Sequence, residues 1–337
     1  MTTSTSQPQL IDRFGRQVTY VRMSITDRCD FRCVYCMDEE MAFMPREKLL
    51  TLEEIAYLLK AFCELGVEKV RITGGEPLVR RNVDWLFQHI GELKNSTALK
   101  ELNITTNGSQ LVKYSDAMAA AGVDRVNISL DSLKPDRFRE LTRTGDLTTV
   151  LAGIEAAKNA GFKRIKLNAV IMKGRNDDEV VDLARFAIDN GMDISYIEEM
   201  PLGQVSHERG ESFYSSDEAL LELNKEFDLQ ASLTKTGGPS RYYQVANSDN
   251  KIGFISPHSH NFCDTCNRVR VTTEGRLLLC LGQEHSVDLR AVIRNYPGDM
   301  ERLKQAIIDS MAIKPEGHEF DIKAEPILFR HMSVTGG

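Results

Sequence analysis

Between Tyr20 and Met200 the chain alternates six short β-rich runs with amphipathic helical stretches, and that rhythm leaves few architectures open. Strands joined by helical crossovers lie parallel in one sheet. They are expected at Tyr20–Ile25, Lys69–Thr73, Leu102–Thr106, Arg125–Leu130, Ile165–Met172 and Ile194–Met200. After the first strand Thr51 caps a helix, with Glu54 three residues on, and Ile55, Leu58, Leu59 and Phe62 recur on one face until Gly66 stops it. Further helices are expected over Val83–Leu93, Val112–Ala121, Thr148–Ala160 and Asp177–Asn190, the last three closed by Gly122, Gly161 and Gly191. Six such units are too few for an eight-stranded barrel. The expected fold class is α/β, an open partial (β/α)6 barrel.

After Pro201 the rhythm breaks. Gly203 to Ser216 is polar, a helix is expected at Asp217–Phe227, and Thr236–Ser240 reads as a turn-rich loop. The division that follows is a core, residues 1–200, and a C-terminal module, residues 201–337, ending in Gly336-Gly337. The formal charge of −7 argues against a nucleic-acid or membrane-surface partner, and no apolar run approaches the ~18 residues of a membrane span. Met1–Leu10 has neither a basic start nor an apolar stretch, so the expected location is the cytoplasm.

Seven cysteines is an odd number, and without an export signal a disulfide framework is a poor explanation. Six fall in two trios, Cys29-x3-Cys33-x2-Cys36 and Cys263-x2-Cys266-x13-Cys280. Cys63 stands alone among apolar helix residues and is expected to be a small buried hydrophobe. Three thiolates on a 4Fe-4S cluster leave one iron free for a small ligand. No His lies between residues 20 and 80 to complete a zinc site for the first trio. The second trio has His258, His260 and His285 nearby, so zinc stays open there. Basic residues Arg22, Lys69, Arg71, Lys166, Arg268 and Arg270 fall on or beside strands, where charge-assisted contacts suit a triphosphate. Lys69 taken alone is expected to be solvated surface.

The first trio, in Asp27-Arg28-Cys29-Asp30-Phe31-Arg32-Cys33-Val34-Tyr35-Cys36 directly after a strand, resembles the cluster loop of the radical S-adenosylmethionine superfamily. Gly74-Gly75-Glu76-Pro77 resembles that superfamily's second landmark. The second trio, with Arg268, Arg270, Thr105-Thr106-Asn107-Gly108, Asn127-Ile128-Ser129-Leu130-Asp131 and the Gly-Gly end, resembles the GTP 3′,8-cyclase family of molybdenum cofactor biosynthesis. This resemblance implies two 4Fe-4S clusters, one on Cys29, Cys33 and Cys36 and one on Cys263, Cys266 and Cys280. It implies S-adenosylmethionine contacts at Tyr35, Gly75, Ser129 and Met200, and GTP contacts at Arg22, Arg71, Thr105, Lys166, Arg268 and Arg270.

The implied reaction is conversion of GTP to 3′,8-cyclo-7,8-dihydro-GTP by a 5′-deoxyadenosyl radical that removes the ribose 3′ hydrogen. The implied partners are an electron donor, a downstream cyclic pyranopterin monophosphate synthase and, where the chain self-associates, a second copy in a homodimer. Many members of the family carry an arginine five residues before the methionine corresponding to Met200; here that position is Ser195. The Gly-Gly end is expected to enter the site. Two rivals remain on the residues alone: a radical peptide-modifying enzyme with an auxiliary cluster, and a non-catalytic electron carrier, although carriers complete each cluster with a fourth Cys.

Overall fold

Along each core strand apolar and polar residues alternate, and a computed structural model of the chain turns that alternation into two unlike faces. The structure describes residues 10–234, 236–320 and 331–336. The strands are β1 (Tyr20–Ser24), β2 (Lys69–Thr73), β3 (Glu101–Thr106), β4 (Arg125–Ser129), β5 (Arg164–Ile171) and β6 (Asp193–Glu198), parallel and adjacent in chain order. Val21, Met23, Val70, Ile72, Leu102, Ile104, Val126 and Ile128 are fully buried in one contiguous core shared with the crossover helices. Each such side chain contributes about 1.5–3 kcal/mol on burial. The residues between them, including Arg22, Arg71, Thr105, Arg125 and Lys166, face a cavity on the concave side. Closed eight-stranded βα barrels fill that volume with branched apolar side chains. Here charged and hydroxyl side chains project into it among the apolar ones.

The helices in the core are α1 (Leu52–Glu64), α2 (Val83–Glu92), α3 (Leu111–Ala120), α4 (Pro135–Thr142), α5 (Leu147–Asn159) and α6 (Val180–Asp189). At the start of α1 the expected capping box is formed: Glu54 N–H donates to Thr51 Oγ1 at 3.1 Å, and Thr51 N–H donates to Glu54 Oε2 at 2.8 Å. Helix α4 was not expected. Among its polar residues only Phe138, Leu141 and Thr142 are buried, too few apolar positions to show a helical period. Cys63 is fully buried in the core.

Beyond β6 come the helices α7 (Arg209–Ser212) and α8 (Ser216–Leu223), α8 being shorter at its C-terminal end than the stretch expected from Asp217 to Phe227. The C-terminal segment extends the same sheet at both edges. Strands β7 (Leu229–Ala231), β8 (Arg241–Val245) and β9 (Lys251–Ile255) follow β6, with β9 parallel to it. On the other edge β10 (Arg268–Val271) runs parallel to β1, followed by antiparallel β11 (Arg276–Leu278) and β12 (Ser286–Asp288). Among the described residues the sheet has twelve strands and is open, ending at β7 and β12. Helices α9 (Leu289–Asn295) and α10 (Met300–Ser310) follow β12, and α11 (Met332–Thr335) lies against β1. No helix among the described residues is long and apolar enough to cross a membrane.

Candidate active site

The loop after β1 carries the first trio, and the turn after β2 holds it from below. Gly75 N–H donates to the Thr26 carbonyl at 2.7 Å and Glu76 N–H to the Arg28 carbonyl at 2.8 Å. A Cβ on Gly75 would lie 2.4 Å from the Arg28 oxygen, so only glycine allows this approach. Buried Glu76 accepts from Leu78 N–H at 2.9 Å, Thr106 Oγ1 at 2.8 Å and Asn107 N–H at 2.6 Å. Burial nevertheless pushes its pKa up to about 8. Asn107 in turn donates to Asp30 Oδ1 at 2.7 Å, beside Cys29. The Gly-Gly-Glu-Pro and Thr-Thr-Asn-Gly motifs thus form one bracket under the cluster loop.

Cys29, Cys33 and Cys36 line a common pocket with Tyr35, Gly75, Thr105 and Ser129. Burial raises all three thiols, Cys36 to about 12, so they become thiolates only when a cation shares the pocket. No three His, Cys, Asp or Glu side chains among the described residues converge as ligands of a single ion. Ligands of one zinc ion must all approach within about 2.0–2.3 Å of a single point, whereas thiolates on a 4Fe-4S cluster bind separate irons. The donor set fits such a cluster.

The second trio sits at the opposite end of the sheet. Cys263 and Cys266 precede β10, which runs parallel to β1, while Cys29 follows β1; Cys280 follows β11, which runs back. The three histidines that left zinc open are turned elsewhere: His258 to the Glu199 carbonyl at 2.9 Å, His260 to Asp217 at 2.9 Å and His285 to Gln283 at 3.1 Å. Arg16 donates to the Cys263 carbonyl at 2.8 Å and to the Pro315 carbonyl at 2.6 Å, anchored by Asp12 at 2.7 Å. Burial, the largest influence on Cys266, raises its pKa, but Arg268 and Lys314 bring it below its ordinary value.

A second cavity adjoins the first trio's pocket and reaches the second trio. Cys263, Cys266 and Cys280 line it together with Arg22, Arg71, Thr105, Lys166, Arg268, Arg270 and Met200. Tyr35, Thr105, Ser129, Asp131 and Met332 line both this cavity and the first trio's pocket. Register places Arg22 between Arg270 and Arg71 on neighbouring strands. Burial and the crowding of Arg270 hold Arg22 well below the usual arginine range; burial and Arg268 bring Arg270 down to about 10. Lys166 is lowered by burial as well, and its Nζ donates to Ser195 Oγ at 3.0 Å. Ser195 therefore lies with the cations. Lys69, expected to be surface, is mostly covered, bonding the Thr236 carbonyl at 2.6 Å and Glu101 at 2.5 Å. Arg270 also donates to the Gly336 carbonyl; Gly337, the other residue of the Gly-Gly end expected to enter the site, lies outside the described residues.

Among the cavity residues that the sequence did not single out are Asp131, Arg125 and Tyr242. Asp131 belongs to a quoted motif, yet nothing in spacing shows that Tyr35 Oη would donate to it at 2.7 Å and Val170 N–H at 2.9 Å. Burial raises its pKa to about 6 from an ordinary 3.8. The folded chain therefore takes up this proton before the unfolded chain does, so the stability it contributes is present below about pH 4 and lost as pH rises through about 6. Urea midpoints measured across that window should fall with pH, and Asp131→Asn should flatten this part of the profile. An unchanged slope would show that another group titrates there.

An open, mostly parallel sheet with a thiol trio after its first strand is the fold of radical S-adenosylmethionine proteins. The description "Radical SAM superfamily" matches residues 23–187, and "Molybdenum Cofactor Synthesis C" matches residues 192–320. Among solved structures, Streptococcus suis SuiB has a TM-score of 0.59 at 18% identity, covering 82% of this chain and 64% of its own, so this chain spans less than two thirds of SuiB. SuiB bound to S-adenosylmethionine gives 0.57 at 19% identity. Likeness at that level is one of fold. The GTP 3′,8-cyclase of Saccharophagus degradans is 59% identical over 329 residues, 97% of this chain and 98% of the relative. That of Pseudomonas entomophila is 58% identical over 330 residues, with the same shares. The chain belongs to the GTP 3′,8-cyclase family.

Proposed function

We propose that this chain converts GTP to 3′,8-cyclo-7,8-dihydro-GTP, the first step of molybdenum cofactor biosynthesis, using S-adenosylmethionine and two 4Fe-4S clusters. The observation that carries the reading is a pair of adjoining cavities, one lined by the first trio and the other by the second trio and a group of inward-facing cations, with Tyr35, Thr105, Ser129, Asp131 and Met332 shared between them. Cys29, Cys33 and Cys36 would hold one cluster and Cys263, Cys266 and Cys280 the other. When bound, the first cluster and S-adenosylmethionine supply a 5′-deoxyadenosyl radical able to abstract a ribose hydrogen.

The chain's own residues bind, orient and enclose. Tyr35, Gly75, Ser129 and Met200 are assigned to S-adenosylmethionine, with Asp131 holding the Tyr35 hydroxyl in place. Arg22, Arg71, Lys166, Arg268 and Arg270 are assigned to GTP with Thr105, which lies 3.5 Å from Arg71 Nη1. Buried cations of one sign suit a polyphosphate, because phosphate oxygens replace the water that burial removes. Enclosure matters equally, since near-attack geometry decides which hydrogen a reactive radical takes. Residues 1–200 would serve as the radical-generating core and residues 201–337 as the part that carries the second cluster and the Gly-Gly end. An electron donor and a downstream synthase complete the reading, and a cytoplasmic location suits them. A peptide-modifying role is disfavoured by relatives close to 60% identical that are GTP cyclases.

The test is anaerobic reconstitution, then incubation with reductant, S-adenosylmethionine and either GTP or ATP. Cyclised nucleotide and 5′-deoxyadenosine should appear with GTP and not with ATP, from protein carrying about eight irons per chain. Deoxyadenosine formation indifferent to GTP, or about four irons with zinc present, would sink it.

A further inference from the structure

Arg125 opens β4 at the end of the cavity away from the first trio, 4% exposed and facing inward. Its side chain makes no hydrogen bond or ion pair among the described residues, and its buried Nε is without a partner. The carboxylate whose field reaches it, Glu101, is already taken by Lys69 at 2.5 Å and Asn103 at 2.9 Å. The cavity's own acids are equally engaged: Asp131 by Tyr35 and Val170, Glu198 by Ser216 and His258, Glu199 by His207 and Arg209.

Neighbouring groups make the position more cationic. Lys166, one strand over, feels Arg125 directly, and its Nζ lies 5.8 Å from the centroid of the Tyr242 ring. Tyr242 Oη lies 3.4 Å from Thr236 Oγ1. Burial, the largest influence on Tyr242, raises its pKa, yet Lys166 and Arg125 help to bring it down to about 8. A buried guanidinium with no anion is costly to keep, and a polyanionic ligand removes that cost.

We propose that Arg125, with Lys166 and Tyr242 beside it, binds the phosphate tail of the nucleotide, so that the site selects by phosphate number as well as by base. The inference rests on GTP being the substrate. Binding of GTP, GDP and guanosine to anaerobic holoenzyme by calorimetry tests it, with Arg125→Gln, Arg125→Lys and Tyr242→Phe compared with the unaltered chain. Affinity in the unaltered chain should fall from GTP to GDP to guanosine. Arg125→Gln should weaken GTP about 10- to 100-fold, the scale of a lost hydrogen bond to a charged group, and leave guanosine within about threefold. Arg125→Lys should recover part of the loss, and KM for GTP should rise more than kcat falls.

Equal losses for GTP and guanosine would overturn the proposal by assigning Arg125 to the scaffold, and so would an unchanged GTP affinity. Should Arg125→Gln fail to load iron, Tyr242→Phe carries the test, with a smaller loss of about threefold or more expected for GTP alone; a loss shared by guanosine overturns it. If the unaltered chain binds no GTP, the functional reading itself fails, a result distinct from either.

Discussion

Cys33→Ala is expected to end 5′-deoxyadenosine formation and to halve the iron from about eight to about four per chain, whereas Cys266→Ala should halve the iron and lose the cyclised product while cleavage of S-adenosylmethionine continues. The separation follows from topology. Cys33 lies after the C-terminal end of β1, and Cys266 lies before the N-terminal end of β10, parallel to β1. The first trio's supports, Gly75, Glu76, Asn107 and the Tyr35–Asp131 pair, include nothing from the second trio. The second trio's supports, Arg16, Lys314 and Arg268, are equally remote from the first. Electron paramagnetic resonance of the reduced variants, with and without S-adenosylmethionine, would assign the surviving signal. If both variants lost both clusters, the two ends would be one folding unit and their assignment as independent sites would fail.

Gly75→Ala is expected to remove the first cluster almost as completely, without touching a ligand. Its new Cβ would meet the Arg28 carbonyl oxygen at 2.4 Å, the Arg28 carbonyl carbon at 2.6 Å and the Asp27 oxygen at 2.8 Å. All three are backbone, so no side chain can turn away to make room. Relief requires the cluster loop to lift off β2, breaking the bonds from Gly75 N–H to Thr26 and from Glu76 N–H to Arg28. Overpacking of this kind costs about 1–3 kcal/mol, and the two lost hydrogen bonds add about 1 kcal/mol each. Iron near four per chain and a lower urea midpoint are the expected readings. Gly161→Ala is the control: no atom lies within 4 Å of its added Cβ and only the φ of +77° is strained, so stability should fall by about 1 kcal/mol and iron stay unchanged. Full iron in Gly75→Ala would show that the loop is free to move and that the close approach has no part in holding the cluster.

Much of this was legible along the chain because the relevant signals are local. The strand runs from Lys69 to Thr73 and from Arg125 to Leu130, the Thr51–Glu54 capping box and the glycines closing three helices all rest on contacts within a few residues. The cysteine spacing is local in the same way: the first trio, with no fourth ligand near it, already implies an iron left open, whereas the second, with His258, His260 and His285 nearby, left zinc open until packing turned those side chains elsewhere. Lys166 and Arg71 were legible too, among the basic residues that fall on or beside strands. Helix α4 was hidden because its few buried residues, Phe138, Leu141 and Thr142, acquire their meaning only when packed. Arg125 escaped for the opposite reason: a lone arginine at a strand start has the look of a solvated charge until the sheet curves round it.

Local pattern along the chain specifies the parts: six βα units, an apolar and a polar side to each strand, and two groups of three thiols. How those parts face one another is set by packing in three dimensions. The parallel register of β10 with β1 sends Cys266 and Cys29 to opposite ends of the sheet, and the curvature of the sheet turns Arg22, Arg71, Arg125 and Lys166 inward together. Direction along a strand is a property of the strand's neighbours. No local pattern encodes it, and it is what places the two trios at opposite ends of the sheet.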